Sequence, residues 1–426
     1  PNGLLWQLEG VEISNPNHFG FMGATGGPVG MLNNNTLSNS DFMTSAFAAE
    51  YGNAVSGVFD LKLREGNHDA HEFLGQVGFN GFELGAEGPF SKKHNTSFLV
   101  NYRYSTLGLF KLMGISIGTG TAVPEYQDIS FKIAGNLAGG KISLFGLGGI
   151  SAIDLLDSEK DEDEENFYEY EGFDIYSKNR QGVVGMNYFR RFSDKTYAEI
   201  TLAADAMQNK SNIDTILTDP DRKMPYDYTD FNTQNYSAGF SLNSKFNSKL
   251  SGRFGAEFRN IRFSLRDSAY LSEYQTFFNV YDDHGSTNLT RLYSQFSYKL
   301  TPKLTINGGL HMIALALNQE TNLEPRLAIK YKPWAKHSFG LGYGSHSKIL
   351  PLFVYFHRTD LSATEYIQPN KDLEMVKAHH YIGSWDWQIN SYTRFKLEGY
   401  YQNLYNAVVE VEPSSFSMLN NNSFQF

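Results

Sequence analysis

The sequence predicts an all-β chain that forms a transmembrane antiparallel β-barrel, and three observations support this prediction. The 426 residues include 26 Tyr, 33 Phe and 39 Gly, yet the mean hydropathy is only −0.39. Segment after segment alternates apolar and polar residues with a period of two, and the connections between segments alternate between short and long. A barrel wall has this composition because its apolar outer face and its polar inner face cancel in the mean.

Charge and residue types exclude several other classes of protein. The net charge of −10, without a basic stripe, argues against a nucleic-acid partner. The chain has no cysteine, so disulfides, thiolate nucleophiles and cysteine metal ligands are excluded. No run of about 18 apolar residues occurs, so no transmembrane helix is predicted.

The alternation is plainest where charged residues share one face. Between residues 289 and 300, Leu292 and Phe296 fall on one side of an extended chain, and Arg291 and Gln295 fall on the other. Similar patterns occur at 196–204, 303–314 and 392–403. A slip of one residue would turn the charged side towards lipid, where a Lys or Arg at the midplane costs about 2–4 kcal/mol. The register of these strands is therefore strongly specified.

Connection lengths indicate the architecture. About fifteen strands are predicted, at 71–81, 82–90, 96–105, 126–138, 141–153, 181–191, 195–207, 229–246, 249–263, 288–299, 303–315, 323–332, 336–346, 377–389 and 392–405. Tight turns alternate with longer connections, predicted at 106–125, 154–180, 208–228, 264–287 and 347–377. Short turns at one rim and long loops at the other are typical of an outer-membrane barrel, with the short turns periplasmic. The acidic run 154–174 is accordingly predicted to be extracellular.

The odd strand count predicts an incomplete barrel, because a closed bacterial antiparallel barrel has an even number of strands. We expect the strands near 71–81 and 392–405 to be unpaired on their outer edges. The last residues, 420–426, are predicted to be an unfinished loop, and the chain is interpreted as cut at both ends.

Short motifs before the first predicted wall strand indicate a family. Residues 40–61 contain a Tyr51-Gly52 turn, and Gly57 opens an alternating strand. This stretch resembles the end of the plug domain of TonB-dependent outer-membrane receptors, and Glu9-Gly10 lies in a strand similar to an earlier plug strand. Glu9, Gly10, Tyr51, Gly52 and Gly57 are therefore interpreted as plug structural residues. Gly52 and Gly57 suit tight turns or close backbone approach in a crowded lumen.

The barrel region carries the same resemblance. Segment 323–328, with its Glu-Pro-Arg opening, and segment 370–381 are similar to Bacteroidetes-type members of that family. The resemblance implies a barrel of about 22 strands, of which about fifteen are present here, with a partial plug in the lumen. It divides the chain into a C-terminal part of the plug at 1–67 and an incomplete barrel at 68–426. It also implies a place in the cell outer membrane among its lipids, an energy-coupling TonB-type partner in the inner membrane, and a nutrient ligand.

One turn of the predicted plug is a candidate ligand-binding apex. Asn15, Asn17, His18 and Phe19 follow a plug strand and offer polar and aromatic groups to an incoming ligand. The competing interpretation, structural packing of the turn, is favoured for any single residue.

No catalytic, metal or cofactor site is predicted. The sequence His68-Asp69-Ala70-His71-Glu72 resembles a metal cluster, but it lies in the predicted linker without a further ligand nearby, so a solvated linker is favoured. His379 and His380 point to opposite faces of a strand and cannot share one metal. The acidic run 154–174 suits either a Ca²⁺-ordered loop or a solvated, self-repelling loop, and the second is favoured.

Three functions from different classes fit a plugged barrel. The leading one is active import of a scarce nutrient, for example a siderophore, cobalamin or an oligomer. The alternative is a surface binding or adhesion barrel that does not import. A barrel enzyme is the third, and it predicts a nucleophile constellation at the outer rim that the sequence does not display.

Overall fold

The structure is a computed structural model that describes residues 3–78, 81–91, 93, 95–107, 122–159, 171–217, 222–360, 365–412, 414 and 417. The middle of the acidic run, at 160–170, and the predicted terminal loop at 420–426 lie outside these residues. Within the described parts, no helix is long and apolar enough to cross a membrane.

The N-terminal region forms six short strands before the large sheet begins. They are β1 (Leu4–Leu8), β2 (Val11–Ile13), β3 (Asn17–His18), β4 (Val29–Gly30), β5 (Asp41–Met43) and β6 (Gly57–Leu61). Four of them make a small sheet in the order β2-β1-β6-β5, in which β1 and β6 run parallel. Trp6 and Phe59 are directly paired in this sheet, and their rings stack with centroids 4.0 Å apart.

A single sheet of fifteen antiparallel strands follows, each strand paired with the next in chain order apart from an inserted segment between β19 and β22. Its strands are β7 (Glu72–Gly78), β8 (Gly81–Ser91), β9 (Thr96–Tyr104), β10 (Glu125–Leu137), β11 (Gly140–Leu156), β12 (Phe173–Ser193), β13 (Thr196–Ile216), β14 (Lys223–Lys245), β15 (Leu250–Leu271), β16 (Thr276–Thr301), β17 (Leu304–Leu315), β18 (Glu320–Trp334), β19 (His337–Lys348), β22 (Val376–Gln388) and β23 (Arg394–Tyr405). The inserted segment contains a short helix, α1 (Leu352–Tyr355), and the strand pair β20 (Thr359–Asp360) and β21 (Tyr366–Ile367).

Both ends of the large sheet are edges. Within the described residues, β7 pairs only with β8 and β23 pairs only with β22, so the sheet does not close on itself. The predicted all-β fold class, a partial antiparallel barrel of about fifteen strands, is confirmed.

The tallest strands differ from the predicted pattern. Strands β13 to β16 continue through 208–216, 223–228, 264–271 and 276–287, so the long loops predicted at 208–228 and 264–287 are wrong. The ladder there is regular, with Lys210 opposite Asp230 and Asp230 opposite Arg266. Apolar residues no longer alternate in this part because polar residues occupy the outward face as well. The backbones of these strands stay hydrogen-bonded, although the alternation of apolar and polar residues that predicts a strand is missing here.

The two faces of the wall have different chemistry. Side chains on the concave face are polar and buried; examples are Asp205, Asn235, Arg259, Arg291, His311, Glu324, Arg326 and His380. Side chains on the convex face are apolar and exposed; examples are Ile200, Leu202, Phe240, Phe258, Leu292, Phe296, Leu310 and Leu327. The concave side chains are buried because residues 3–63, called the lumen segment below, lie against them.

Candidate functional site

The centre of the contact between the lumen segment and the wall is one buried carboxylate. Glu12 lies on β2, and its carboxylate oxygens lie 3.1 Å from Arg259 Nη1 and 2.8 Å from Arg291 Nη1. Asn53 Nδ2 donates a hydrogen bond of 2.8 Å to Glu12 Oε1. Arg259 and Arg291 come from the neighbouring strands β15 and β16, whose odd-numbered residues face the lumen. Because the two guanidinium groups converge on one carboxylate, the wall and the lumen segment are joined electrostatically here.

Further carboxylates balance the charge of this cluster. Arg259 Nη2 donates to Asp205 Oδ1 at 2.8 Å, and Arg291 pairs with Glu257. Burial by itself would raise the pKa of Glu12, but the nearby arginines and Lys348 outweigh it and hold this pKa below its ordinary value. Glu12 is therefore a buried anion whose charge depends on cations of the wall.

A second contact holds the loop 45–55, which connects the strands of the lumen segment. Arg326 on β18 donates hydrogen bonds to the carbonyl oxygens of Phe47 at 3.2 Å and Tyr51 at 2.6 Å, and also to that of Ala48. The other terminal nitrogen of its guanidinium, Nη2, donates to Glu324 Oε2 at 2.6 Å. All three carbonyl oxygens gather around Nη1, whose two hydrogens they share, so one nitrogen holds three carbonyl groups of a loop without regular structure.

Two histidines of the wall bind the same loop. His311 Nδ1 lies 2.7 Å from the carbonyl oxygen of Ala49, and His380 Nε2 lies 2.9 Å from that of Val55. The amide of Ala46 donates to His380 Nδ1 at 3.3 Å. A carbonyl only accepts, so His311 carries its proton on Nδ1 and His380 carries its proton on Nε2. Because Nδ1 of His380 accepts from an amide, the His380 ring is neutral.

Gly52 is required by this close approach. A Cβ at position 52 would lie 2.1 Å from His311 Nε2, well inside van der Waals contact. The sequence prediction that a glycine here permits close approach is consistent with this distance. The other predicted plug residues also lie at contacts inside the lumen segment: Tyr51 Oη donates to Asp60 Oδ2 at 2.9 Å, and a Cβ at Gly57 would lie 2.9 Å from the carbonyl oxygen of Met43.

Glu9 and Gly10 form the turn between β1 and β2. Both have positive φ, 52° and 83°, in the region that favours glycine. The Glu9 carboxylate accepts a 2.7 Å bond from Lys132 Nζ on the wall and a 2.6 Å bond from the amide of Leu63. Asn187 Nδ2 donates to the carbonyl oxygen of Glu9 at 2.9 Å. The turn is thus fixed to β10 and β12 as well as to its own segment.

The structure brings the four predicted ligand-binding residues together, but against the wall. His18 Nε2 lies 2.9 Å from Asp128 Oδ2, and the amide of Phe19 donates to Ser151 Oγ at 3.2 Å. Asn15 Nδ2 donates to the carbonyl oxygens of Ala24 and Gly26, and Asn17 Nδ2 donates to Asn15 Oδ1 at 2.7 Å. Asn15, His18 and Phe19 are buried and Asn17 is half-buried. Their role in ligand binding remains a prediction.

The inserted segment at 349–375 also folds onto the concave face. It is described at 349–360 and 365–375 and is called the inner loop below. Phe353 lies parallel to Phe231 of β14 with ring centroids 6.0 Å apart, and Phe356 packs on Phe263 of β15 at 4.7 Å. Pro351 contacts Gly23 of the lumen segment, where an added Cβ would lie 2.6 Å from Pro351 Cγ. The inner loop therefore covers the part of the lumen segment next to β14 and β15.

Sequence reasoning missed most of these contact residues. The sequence pattern puts Arg291 on the polar face of its strand and shows the Glu-Pro-Arg opening at 324–326, but it assigns no partner to either. The available signal is a charged residue or histidine on the polar side of a wall strand. His379 and His380 do face opposite sides, as predicted: His379 lies between the hydroxyl groups of Tyr343 and Tyr405, at 3.1 and 3.2 Å. Among the described residues, no group of three or more His, Asp or Glu side chains is arranged to hold a metal ion.

The chain has the architecture of a plugged β-barrel. Its curved antiparallel wall holds the N-terminal lumen segment through buried ion pairs. The family described as TonB dependent receptor-like, beta-barrel matches residues 134–424, and the chain belongs to this family. Members of the family are receptors and transporters of the outer membrane. No protein of curated function matches the sequence.

Solved structures show the same fold at low sequence identity. A mutant of the ferric enterobactin receptor PfeA from Pseudomonas aeruginosa is 13% identical with a TM-score of 0.63, over 95% of this chain and 64% of that chain. The siderophore receptor PirA from Acinetobacter baumannii is 13% identical with a TM-score of 0.66, over 95% and 63%. The copper transporter OprC is 11% identical with a TM-score of 0.66, over 94% and 64%. The chain thus spans less than two thirds of the length of these structures.

Proposed function

We propose that this protein is an outer-membrane receptor that binds a scarce nutrient at the cell surface and imports it to the periplasm with energy from a TonB-type inner-membrane partner. The observation that supports the proposal most directly is the buried contact of Glu12 with Arg259 and Arg291. A lumen filled by a segment held in this way does not conduct a bulky solute at rest.

The contacts explain why passage would require work. Removing one partner of a buried ion pair typically costs about 3–5 kcal/mol, because the other charge is left uncompensated. Displacing the lumen segment separates the Glu12 cluster, the Glu9–Lys132 pair and the Arg326 bonds together. The free energy needed to break all these contacts together is far above thermal energy. Passage therefore requires an external force applied to the lumen segment.

The family supports a scarce nutrient as the ligand. Siderophores, cobalamin and oligomers are the candidates, and solved structures of the same fold include a receptor in complex with enterobactin and a copper transporter. We assign the first ligand contacts to Asn15, Asn17, His18 and Phe19. We also assign residues 1–67 to the plug and residues 68–426 to the barrel, with membrane lipid around the barrel and no chemical reaction catalysed.

Uptake measured with and without an uncoupler tests this proposal. Cells with and without the gene would be given iron-loaded enterobactin, cobalamin and copper as separate probes. For a probe whose uptake depends on the gene, we expect the uncoupler to abolish accumulation in the periplasm while surface binding persists. Gene-dependent binding without energy-dependent accumulation would favour the alternative, a surface binding or adhesion barrel, and would contradict active import.

A further inference from the structure

The convex face of the wall changes from apolar to polar part-way along the tall strands. On β13 the outward residues are Ile200, Leu202, Ala204 and Ala206, followed by Gln208 and Lys210. On the neighbouring strand β14, Gln234 lies opposite Ala206 and Asn232 lies opposite Gln208. An apolar band of this kind matches the hydrocarbon layer, so the polar level above it lies among lipid headgroups.

A groove of about 590 Å³ lies at this boundary on the outer face of β9 to β14. It is lined by Tyr102, Ile129, Gly148, Gly182, Ala206 and Gln208, among others. Gly148 and Gly182 are directly paired across β11 and β12, and the absence of two side chains there creates the depth. The floor is made of small apolar residues, and amide side chains line the upper wall. This combination suits an acyl chain that ends in a polar group.

Three basic side chains project beside the upper end of the groove. Lys178 and Lys210 are directly opposite each other in the ladder, and Arg180 lies two residues further along β12. Lys178 and Arg180 are exposed, and Lys210 is half-buried. Like charges directly opposite each other in a sheet destabilise it, and an anion bound between them would offset that cost.

No carboxylate of the described residues supplies that anion. The ion pairs made there by β12 and β13 are those of Asp174 and Asp205, and neither includes one of the three cations. Asp230 faces Lys210 in the ladder, but its carboxylate accepts hydrogen bonds from Gln208 at 2.8 Å and from the Tyr228 hydroxyl at 3.5 Å. Lys210 Nζ instead lies 5.2 Å from the centroid of the Tyr228 ring.

We propose that Lys178, Arg180 and Lys210 bind the phosphate-bearing headgroup of a membrane lipid whose acyl chain lies in the groove floored by Gly148, Gly182 and Ala206. The inference rests on the membrane location in the proposed function, and it adds a lipid site on the outer face of the wall, away from the lumen. A lipid is the expected occupant because the cations continue directly from the apolar, lipid-facing surface. The N–H groups of the three cations can donate charge-assisted hydrogen bonds to the oxygens of a phosphate bound there.

Lipid retention by the intact receptor, purified from cell envelopes in detergent, tests the site. Native mass spectrometry would compare lipid A with dephosphorylated lipid A, using the wild type and the Lys178→Gln/Arg180→Gln/Lys210→Gln variant. Each basic group near an anionic membrane surface contributes roughly fivefold to affinity, so the triple variant should retain lipid A at least about tenfold more weakly. Inorganic pyrophosphate in a separate arm distinguishes a lipid from a soluble phosphate.

Matched variants separate lipid binding from folding. Arg190→Gln/Arg191→Gln/Lys195→Gln removes three exposed cations from the opposite end of the same two strands and should retain lipid A like the wild type. Ala206→Leu fills the groove and should weaken retention of lipid A. The control Ala256→Leu lies on the outward face of β15 away from the groove and should not. Variants are compared only where their heat-modifiability on gels, which reports folding of the barrel, equals that of the wild type. The conservative variant Lys178→Arg/Lys210→Arg keeps the positive charges and should retain lipid A like the wild type.

The outcomes decide between the possibilities. Equal retention of lipid A by the wild type and the neutral triple variant would overturn the site. Equal binding of phosphorylated and dephosphorylated lipid A would overturn the role of phosphate, and displacement of lipid by pyrophosphate would overturn the lipid as occupant. These results do not depend on uptake, so failure of active import with lipid retention intact would contradict only the proposed function.

Discussion

Glu12 Oε2 of the lumen segment lies 2.8 Å from Arg291 Nη1 of the wall, and the two residues are separated by most of the chain. The contact joins the small N-terminal sheet to strand β16 and depends on a carboxylate that stays ionised although it is buried. The position of the lumen segment is therefore sensitive both to mutation and to pH.

The first prediction concerns the variant Glu12→Gln. The change leaves Arg259 and Arg291 without their shared anion. It should lower the free energy of unfolding by about 3–5 kcal/mol at neutral pH. Because the pKa of Glu12 is lowered in the folded state, its contribution is present above its unfolded-state pKa and is lost as the pH falls through the lowered value. Thermal unfolding of both proteins from neutral to acidic pH measures this. The gap between them should narrow at low pH, and a gap independent of pH would contradict the assignment.

The second prediction concerns Gly52→Ala. The added Cβ would lie 2.1 Å from His311 Nε2, and overpacking of this kind costs about 1–3 kcal/mol. A displaced loop should make the lumen more permeable, which sensitivity to a large antibiotic such as vancomycin would detect. Gly26→Ala is the control, since nothing lies within 4 Å of its added Cβ. Equal antibiotic sensitivity of the two variants would show that loop 45–55 does not close the lumen.

A third prediction uses the absence of cysteine from the chain. A Cβ at Gly342 would lie 3.4 Å from Ala46 Cβ, close to the separation of about 3.5–4.5 Å found in disulfides. Ile382 Cγ2 lies 2.7 Å from the same position, so Ala46→Cys/Gly342→Cys is made in an Ile382→Ala background. Oxidation should join the lumen segment to β19 and stop import of whichever probe the cells accumulate, and reductant should restore it. Import that continues after complete oxidation would mean that loop 45–55 stays in place during passage.

Sidedness is the subject of the fourth prediction. The hairpin of β15 and β16 turns at Ser272–Gln275, and the hairpin of β12 and β13 turns at Asp194–Lys195 at the opposite rim. If the rim that carries the long connection between β11 and β12 is extracellular, an epitope tag at Glu273, at the same rim, should be labelled on intact cells, and a tag at Asp194 only after the envelope is opened. Labelling in the reverse pattern would invert the topology, including the predicted extracellular position of the acidic run 154–174.

The sequence predicted the wall strands well because each strand alternates apolar residues, which face outward, with polar residues, which face the lumen segment. Leu292 and Phe296 alternate with Arg291 and Gln295, and the structure places the first pair outward and the second pair against the lumen segment. Prediction failed for the upper parts of β13 to β16, where both faces are polar and the alternation disappears. The sequence does not show where the turns lie in these parts, because backbone hydrogen bonds between strands do not require any particular side chains.

The candidate site was predicted only in part. Gly52 and the Glu-Pro-Arg opening were recognised through the resemblance to a family, and the structure gives them partners in His311 and in loop 45–55. Nothing in the sequence connects Glu12 with Arg259, because the contact depends on how strands from distant parts of the chain curve around the lumen segment.

The all-β class, the number of wall strands and the side of each strand that faces lipid can be read from the residues alone, because a period of two and the cost of a charge in lipid are local constraints. Which wall residue contacts which residue of the lumen segment depends on the folded arrangement of the whole sheet. The same arrangement places Lys178 and Lys210 opposite each other beside a groove, since register across a ladder and the curvature of the sheet are properties of many strands together.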